Sequence, residues 1–281
     1  MFQINWKLKA LLYKLFGLLK LRRTFYFIQK HITKRSRINI VEINKLWVFH
    51  SDAIENSKSK KILEVGAGKA LEQNIYLSYK FGSMIDQTAI DINNMLDFKL
   101  FNDASAQIAN LLKLKNKGVI KDISDLKIKY NITYMAPFKI GEFNAKEKFD
   151  ICISTTALEH FSVLDLQNYL LDLKKVLNKN GLISSLIDYS DHYSHTDKNI
   201  DTLNFLSYSK EEWEKYNNSY LYQNRLRHQD YKKLFIDHGY KIVKIIKGNV
   251  TNPNKKISDV FDIDDDETFL NWAYFLTKKT N

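Results

Sequence analysis

Short apolar runs alternate along most of the chain with stretches in which apolar residues recur every three or four positions. The short runs predict strands, and the periodic stretches predict amphipathic helices. The predicted strands cover residues 62–65, 88–92, 128–135, 149–154 and 182–187, and the predicted helices cover about 38–55, 70–81, 104–114 and 162–181. We expect the first of these helices to pack over the edge of the sheet. Strands that alternate with helices at this spacing indicate a mostly parallel α/β sheet.

The pattern changes after residue 187. No strand-like run follows until about residue 223, and polar and aromatic residues predominate, which is typical of a cap over an active site. We place this cap at about 188–238, with a capping box at Ser209 and Glu212 that opens a short helix. Two final apolar runs, at 240–246 and 271–277, predict an antiparallel hairpin that closes the sheet.

The first predicted strand leads into a ligand-binding turn. It ends at Gly66 and Gly68, and a helix follows. A dinucleotide-binding turn would have a third glycine where this chain has Leu71. The carboxylate of Glu64 would repel a phosphate but would attract an ammonium or sulfonium group. The turn therefore favours a cationic ligand such as S-adenosylmethionine (SAM) over a phosphorylated nucleotide.

A second acidic residue, Asp91, ends the next predicted strand, 27 residues after Glu64. This distance accommodates a strand, a turn, a helix and the return to the sheet. A carboxylate at that place can accept two hydrogen bonds from ribose hydroxyls. The alternative is a surface aspartate at the end of a strand.

The chain is long and apolar enough to fold, and its charge divides it into two parts. The 281 residues are 44% hydrophobic, enough for a sizeable core, and the single cysteine cannot form a disulfide within the chain. Residues 1–37 contain ten basic residues and no acidic one, so the remaining 33 basic and 32 acidic residues leave residues 38–281 with a net charge of only +1. We therefore predict a basic helical arm at 1–37 and a catalytic domain at 38–281, and expect no nucleic-acid partner.

The arm is apolar but interrupted by lysines, and its uncharged runs are far shorter than the roughly 20 residues that span a bilayer. Two interpretations stay open. The arm contacts anionic lipid peripherally, or it packs as a helix on its own domain or on a partner. We expect a cytoplasmic protein. If the first interpretation holds, it also contacts the inner face of the membrane.

The motifs together resemble the class I SAM-dependent methyltransferases, whose Rossmann-like α/β sheet has seven strands with the last inserted antiparallel. The matching features are the glycine turn at 64–68, Asp91, the segment 158–160 after the fourth strand, and the closing hairpin. The segments 187–195, 204–206 and 223–227 resemble, more narrowly, a bacterial branch associated with cell-surface polysaccharide biosynthesis.

The resemblance implies SAM as the cofactor and a role for several residues. The turn of Gly66, Ala67 and Gly68 would form the backbone wall against SAM. Glu64 would lie near its methionine end and Asp91 at its ribose. The residues assigned to the remaining parts of SAM are Met135 and Ala136 at the adenine edge and Thr155 at the methionine portion.

Candidate catalytic residues follow the fourth and fifth strands, at the edge where such sheets bind ligands. They are His160, Asp188, Asp191, His192 and His195. Methyl transfer to a hydroxyl benefits from a base, and imidazole can take that proton near neutral pH. We predict His192 as the base, oriented by Asp188 or Asp191, with His195 near the substrate. For His160 and Asp188 the alternative is that they brace the loops through hydrogen bonds.

Two further hypotheses concern metal binding and acceptor binding. Asp188, Asp191, His192 and His195 could supply metal ligands, but their spacing matches no strict motif, so we predict no metal site. Other cap residues could hold the acceptor, with two arginines clamping a phosphate or carboxylate and tyrosines stacking on a sugar. These residues are Tyr222, Arg225 and Arg227. Salt bridges at a helix start would explain the arginines equally well.

The sequence thus predicts a SAM-dependent methyltransferase that O-methylates a hydroxyl of a sugar or glycan precursor, with a small-molecule or glycan acceptor. N-methylation is the less favoured chemistry. The alternative from another class is a non-catalytic scaffold with a methyltransferase fold, docked on a membrane or on a glycan-assembly partner.

Overall fold

The computed structural model describes residues 4–21, 40–144 and 146–280. The strands are β1 (Lys61–Val65), β2 (Asp86–Ile90), β3 (Ile132–Met135), β4 (Phe149–Thr155), β5 (Leu177–Asp188), β6 (Tyr240–Lys247) and β7 (Trp272–Lys279). The α-helices are α1 (Trp6–Leu18), α2 (Ile40–Ser57), α3 (Glu72–Phe81), α4 (Phe98–Leu111), α5 (Ile123–Tyr130), α6 (Val163–Val176), α7 (Lys210–Glu214) and α8 (His228–Asp237).

The strands of the described residues form one sheet in the order β3-β2-β1-β4-β5-β7-β6. Strand β7 runs antiparallel to both of its neighbours, whereas the other neighbouring pairs are parallel. The predicted seven-stranded Rossmann-like sheet, with its last strand inserted antiparallel, is confirmed. Strand order reverses between β1 and β4, where open α/β sheets bind ligands.

Three predicted elements had wrong boundaries. The helix predicted at 104–114 is α4, which begins at Phe98. Residues 128–135 were predicted as one strand, but α5 extends to Tyr130, and Asn131, with a left-handed φ of 57°, ends it before β3 begins. Gly181 was predicted to end the helix that begins after Ser162. Instead α6 ends at Val176, and Gly181 lies within β5. The error at 128–135 arises because apolar and aromatic residues alternate with polar ones from Ile128 to Tyr134, across the junction of α5 and β3. The error at Gly181 arises because glycine commonly ends a helix, whereas Gly181 lies inside a strand.

The predicted helix starts in the second half of the chain are confirmed. The hydroxyl of Ser162 accepts a hydrogen bond from the backbone N–H of Asp165 at 3.1 Å. Ser209 and Glu212 form a capping box at the start of α7. In both cases a side-chain oxygen satisfies a backbone donor that has no partner within the helix.

Helix α2 was predicted to cover the edge of the sheet, but it packs on the central strands. The ring of His50 joins them, with Nδ1 2.8 Å from Ser184 Oγ in β5 and Nε2 3.1 Å from Thr155 Oγ1 at the end of β4. Complete burial lowers the pKa of His50 to about 3, so its ring is neutral near pH 7. Helix α2 is therefore fixed directly behind the strand ends that carry the candidate site.

Helix α1 packs on the cap. Trp6 and Ala10 are buried in a cluster with aromatic cap residues, including Tyr193 and Trp213. The backbone N–H of Trp6 also donates to Asp197 Oδ2 at 2.9 Å. This part of the predicted arm is thus a helix on its own domain, while residues 22–37 lie outside the described residues. None of the described helices combines the length and hydrophobicity needed to cross a lipid bilayer.

Candidate functional site

The glycine turn after β1 approaches the turn after β4 too closely to accommodate a side chain. A Cβ atom added to Gly66 would lie 2.6 Å from Ala157 Cβ, and its φ of +79° favours glycine. Gly68 has a φ of +70°, and a Cβ there would meet nothing within 4 Å. Gly66 therefore closes the turn against β4, whereas Gly68 faces open space beside it.

Asp91 lies directly beyond β2 and links the glycine turn to the loop after β3. Its carboxylate accepts hydrogen bonds from the backbone N–H groups of Gly68, at 3.1 Å, and Asn93, at 2.8 Å. The backbone N–H of Asp91 donates to the carbonyl of Met135. Met135 and Ala136 thus come to the same strand edge as Asp91 and Gly68, as a shared adenosyl site requires. A carboxylate at this edge of the sheet can accept hydrogen bonds from hydroxyl groups.

Glu64 lies in the interior of β1 and is 3% exposed. Within the part of the chain that the structure describes, its Oε2 has no hydrogen-bond partner. Burial, and then the nearby charge of Glu72, raise the pKa of Glu64 well above its ordinary value. A buried carboxylate without a full set of partners beside the glycine turn suits a ligand that carries a positive charge.

The candidate catalytic segments adjoin the glycine turn. The turn that begins at Thr155 contacts Gly66 through Ala157, and the backbone N–H of Thr156 donates to the carbonyl of Leu186 in β5 at 2.8 Å. The ends of β1, β4 and β5 are therefore fixed to one another. Thr155 also contacts His50 of α2, which the sequence did not mark as a site residue.

Asp188 and His192 form the pair predicted from the sequence. His192 Nε2 lies 3.2 Å from Asp188 Oδ2, and the hydroxyl of Ser190 donates to the other oxygen, Oδ1, at 2.6 Å. Burial alone would raise the pKa of Asp188, but the hydrogen bonds from His192 and Ser190 outweigh it and lower this pKa. An ionised Asp188 holds the ring of His192 in one orientation.

Three histidine rings lie side by side after β4 and β5: the ring of His192 stacks on that of His195 and meets that of His160 edge-on. The ring centroid of His192 lies 4.9 Å from that of His160 and 5.2 Å from that of His195. His160 Nδ1 donates to the backbone carbonyl of Tyr222 at 2.6 Å. The candidates His160, His192, His195 and Tyr222 are therefore brought together.

Asp191 faces away from this histidine group. Its carboxylate accepts hydrogen bonds from the backbone N–H of Tyr193 at 2.8 Å and from the side chain of Asn204 at 2.9 Å, and it is fully buried. Of the two acids considered as the partner of His192, Asp188 is the one beside the ring. The contacts of Asp191 favour a role in holding the cap loop.

Arg225 and Arg227 bind backbone carbonyls of the protein itself. Arg227 is 4% exposed, and its guanidinium donates to the carbonyls of Tyr189, Thr268 and Leu270. Arg225 likewise donates to carbonyls within residues 205–209. These contacts brace the cap, and they favour neither the predicted anion clamp nor the alternative of salt bridges at a helix start.

Comparisons with known proteins bear on the fold. No protein-family model matches the sequence, and no curated protein matches it. The chain resembles the solved structure of the 1,6-didemethyltoxoflavin-N1-methyltransferase of Burkholderia thailandensis, with 13% sequence identity and a TM-score of 0.51. The match covers 94% of this chain and 89% of that one. That structure contains 1,6-didemethyltoxoflavin and S-adenosylhomocysteine. The chain has the fold of the SAM-dependent methyltransferases.

Two further solved structures of this methyltransferase fold are more distant. The chain matches a SAM-dependent methyltransferase of Clostridium acetobutylicum over 93% of this chain and 99% of that one, at 14% identity and a TM-score of 0.46. It matches TehB of Haemophilus influenzae over 82% of this chain, at 16% identity and a TM-score of 0.45, and spans 61% of TehB.

One buried acid on this methyltransferase fold was not selected from the sequence. Glu159 is 3% exposed, and among the described residues neither of its carboxylate oxygens has a hydrogen-bond partner. Burial, and then the charge of Asp188, raise the pKa of Glu159 well above its ordinary value. The segment 158–160 was recognised as a motif, but sequence alone cannot show that the middle residue points inward without a partner.

Proposed function

We propose that the chain is a SAM-dependent methyltransferase that O-methylates a hydroxyl of a small acceptor, a sugar or glycan precursor. The observation that carries the proposal is the Asp188–His192 pair, placed beside the glycine turn through the contact between Gly66 and Ala157. The glycan acceptor is supported only by the resemblance of residues 187–195 and 223–227 to the polysaccharide-associated branch.

The residues around the glycine turn suit SAM on three counts. The carboxylate of Glu64 has an oxygen without a hydrogen-bond partner among the described residues, which suits the cationic methionine end. Gly68 leaves space for a ligand against the backbone, and Asp91 would offer a carboxylate to the ribose hydroxyls. SAM supplies a methyl group on a positively charged sulfur. The turns after β1, β2 and β3 would hold it, with Thr155 beside it at the end of β4.

On the acceptor side the protein orients a hydroxyl and takes its proton. Asp188 accepts a hydrogen bond from Nε2 of His192. Nδ1 of the same ring then has a lone pair that can receive a proton. Such general-base assistance contributes typically 10²–10⁴-fold to a rate. Alignment of the acceptor and exclusion of water by the cap supply the remainder of the catalysis in this proposal.

Cofactor binding is the first test, measured by calorimetric titration with SAM. We expect Asp91→Ala to weaken binding about 10- to 100-fold, because a buried carboxylate that accepts hydrogen bonds is removed. Asp86→Ala, at the exposed start of the same strand, is the matched control and should bind SAM normally. The absence of binding to the unsubstituted protein at millimolar SAM would refute the proposal.

Catalysis is tested in the cells that make the glycan, by mass spectrometry of the glycan with and without the protein. We expect His192→Ala to lose one methyl increment while the purified variant still binds SAM. The scaffold alternative makes the opposite prediction, namely that deletion of residues 1–37 abolishes function while His192→Ala does not.

We also propose that α1 places this enzyme on an anionic membrane surface. The face opposite its buried side carries large leucines that are exposed in the described structure, including Leu11 at 63% and Leu18 at 75%. The whole set is Leu8, Leu11, Leu12, Leu15, Leu18 and Leu19, at helical spacing. Residues 1–37 contain ten bases and no acid, so a negatively charged bilayer complements this segment.

The membrane proposal predicts cosedimentation with vesicles that contain anionic lipid, and much weaker binding to vesicles of zwitterionic lipid alone. Leu11→Glu with Leu18→Glu should abolish this binding, since both charges would enter the apolar boundary. Ile128→Glu, at a site in α5 that is 78% exposed, is the control and should bind normally. Equal binding of the double variant and the unsubstituted chain to these vesicles would refute the proposal. So would a dimer of the unsubstituted chain in analytical sedimentation that the double substitution converts to monomer.

A further inference from the structure

A small group of metal-ligating side chains lies at the carboxyl ends of β4 and β5. Glu159, His160 and His192 each bring one ligand atom into a space in which all three atoms lie within 4.8 Å of one another. Glu159 comes from the interior, and the histidines come from the two segments that frame the acceptor side. Of the four possible metal ligands considered in the sequence analysis, only His192 belongs to this group.

Glu159 gives the independent reason to expect a ligand here. Its side chain is 3% exposed, and both of its oxygens lack hydrogen-bond partners in the described part of the chain. A buried carboxylate without partners is costly to maintain, whereas buried charges that persist are paired or coordinate metals. A metal ion bound to this carboxylate could also bind the two imidazoles, whose ligand atoms lie within 4.8 Å.

Each histidine has one ring nitrogen within hydrogen-bond distance of an oxygen, which leaves the other nitrogen able to bind an ion. His160 Nδ1 donates to the carbonyl of Tyr222, which leaves Nε2 with a lone pair. His192 Nε2 lies 3.2 Å from the carboxylate of Asp188, which leaves Nδ1 with one. A carbonyl or carboxylate that fixes the orientation of an imidazole ligand is a recurrent feature of metal sites.

We propose that Glu159, His160 and His192 bind a divalent transition-metal ion, with Asp188 and the Tyr222 carbonyl as supporting groups. Two imidazoles and one carboxylate suit Zn²⁺, Mn²⁺ or Fe²⁺ better than Mg²⁺, which favours oxygen ligands. Bonds of about 2.1 Å place tetrahedral ligands roughly 3.4 Å apart, so small side-chain rotations close the site.

The proposal deepens the function proposed above and rests on it for the acceptor. Three protein ligands leave at least one coordination position open, as in catalytic zinc sites, and an oxygen of the acceptor can occupy it. An ion that binds a hydroxyl oxygen would favour its ionised form, with the proton released to water. His192 would then be a ligand rather than the base, and the ion would hold the oxygen that receives the methyl group.

Direct metal binding by the full chain tests this inference without an acceptor. After treatment with a chelator, the protein is titrated by calorimetry with Zn²⁺ and, separately, with Mn²⁺. We expect one ion per chain, and loss of binding in Glu159→Gln and in His160→Ala. Asp188→Asn should bind the ion about 10- to 100-fold more weakly, as for other supporting residues. His238→Ala, at the end of α8, is the control and should bind normally.

Urea unfolding of the metal-free proteins separates ligation from a structural role. Glu159→Gln should be at least as stable as the unsubstituted chain, since it removes a buried carboxylate without partners. Lower stability of metal-free Glu159→Gln would overturn the inference, and so would equal metal affinity in Glu159→Gln, His160→Ala and the unsubstituted chain. If no ion binds but SAM still does, the metal site is refuted while the proposed methyltransferase stands with His192 as its base.

Discussion

Replacement of Gly66 by alanine should abolish SAM binding and destabilise the fold. The left-handed backbone costs a residue with a Cβ atom about 1–2 kcal/mol, and overpacking costs a further 1–3 kcal/mol. Both costs apply here, because φ is +79° and the new Cβ would lie 2.6 Å from Ala157 Cβ. The turns after β1 and β4 would have to separate, which displaces the backbone wall proposed to contact SAM.

Urea unfolding and calorimetric titration with SAM measure the two effects of Gly66→Ala. Gly118→Ala is the matched control, since its φ is also positive, at +101°, but its new Cβ would meet nothing within 4 Å. It should incur a backbone cost alone and keep its affinity for SAM. SAM binding by Gly66→Ala within threefold of the unsubstituted chain would contradict the proposed position of the cofactor.

The sequence predicted the arrangement of the glycine turn and Asp91 better than that of the remote segments, because the signals there are local. A strand that ends at Gly66 and Gly68, with Asp91 after the next strand, requires only two neighbouring parallel strands to come together. The structure has this arrangement, and the N–H of Gly68 donates to Asp91. The pairing of Asp188 with His192 was similarly accessible, since the two residues are four positions apart and leave one strand.

Contacts between remote segments were not accessible to the same reasoning. His50 reaches Ser184, 134 residues away, because α2 packs on the centre of the sheet. An apolar stripe shows that a helix packs, but not which strands it covers. The absence of partners for Glu159 within the described chain is equally invisible in sequence, since it depends on every group that surrounds this carboxylate.

The arm illustrates why periodicity alone left two interpretations. Its lysines lie on two sides of the helix, so the sequence shows no simple division into polar and apolar faces. In the structure one apolar face, with Trp6 and Ala10, packs on the cap, and a second, with Leu11 and Leu18, is exposed. Packing on the domain and contact with lipid are therefore compatible, because they use different faces of α1.

The cap is held on the sheet by the segment 223–227. The side chain of Asn224 donates to the carbonyls of Leu158 and Phe161, on either side of the proposed metal ligands. Gln223 accepts from the backbone N–H of His192 at 2.9 Å. These contacts explain physically why polar residues occur in this segment: they satisfy backbone groups of the loops after β4 and β5, and so fix the spacing of the histidines.

Replacement of Arg227 by alanine should destabilise the protein by about 3–5 kcal/mol, because it leaves three buried carbonyls without donors and removes a packed side chain. The guanidinium donates to Tyr189, Thr268 and Leu270, and lies 5.1 Å from the ring centroid of Tyr189. Urea unfolding measures the loss. Arg227→Lys should recover part of it, since an ammonium cannot reach all three carbonyls at once.

Arg225→Ala is the matched comparison for Arg227→Ala. Arg225 also donates to backbone carbonyls but is only partly buried, so water can replace its hydrogen bonds and the loss of stability should be smaller. If Arg227→Ala unfolded at the same urea concentration as the unsubstituted chain but required more acceptor for half-maximal methylation, the bracing role would be wrong. Arg227 would then act as the anion clamp that the sequence suggested.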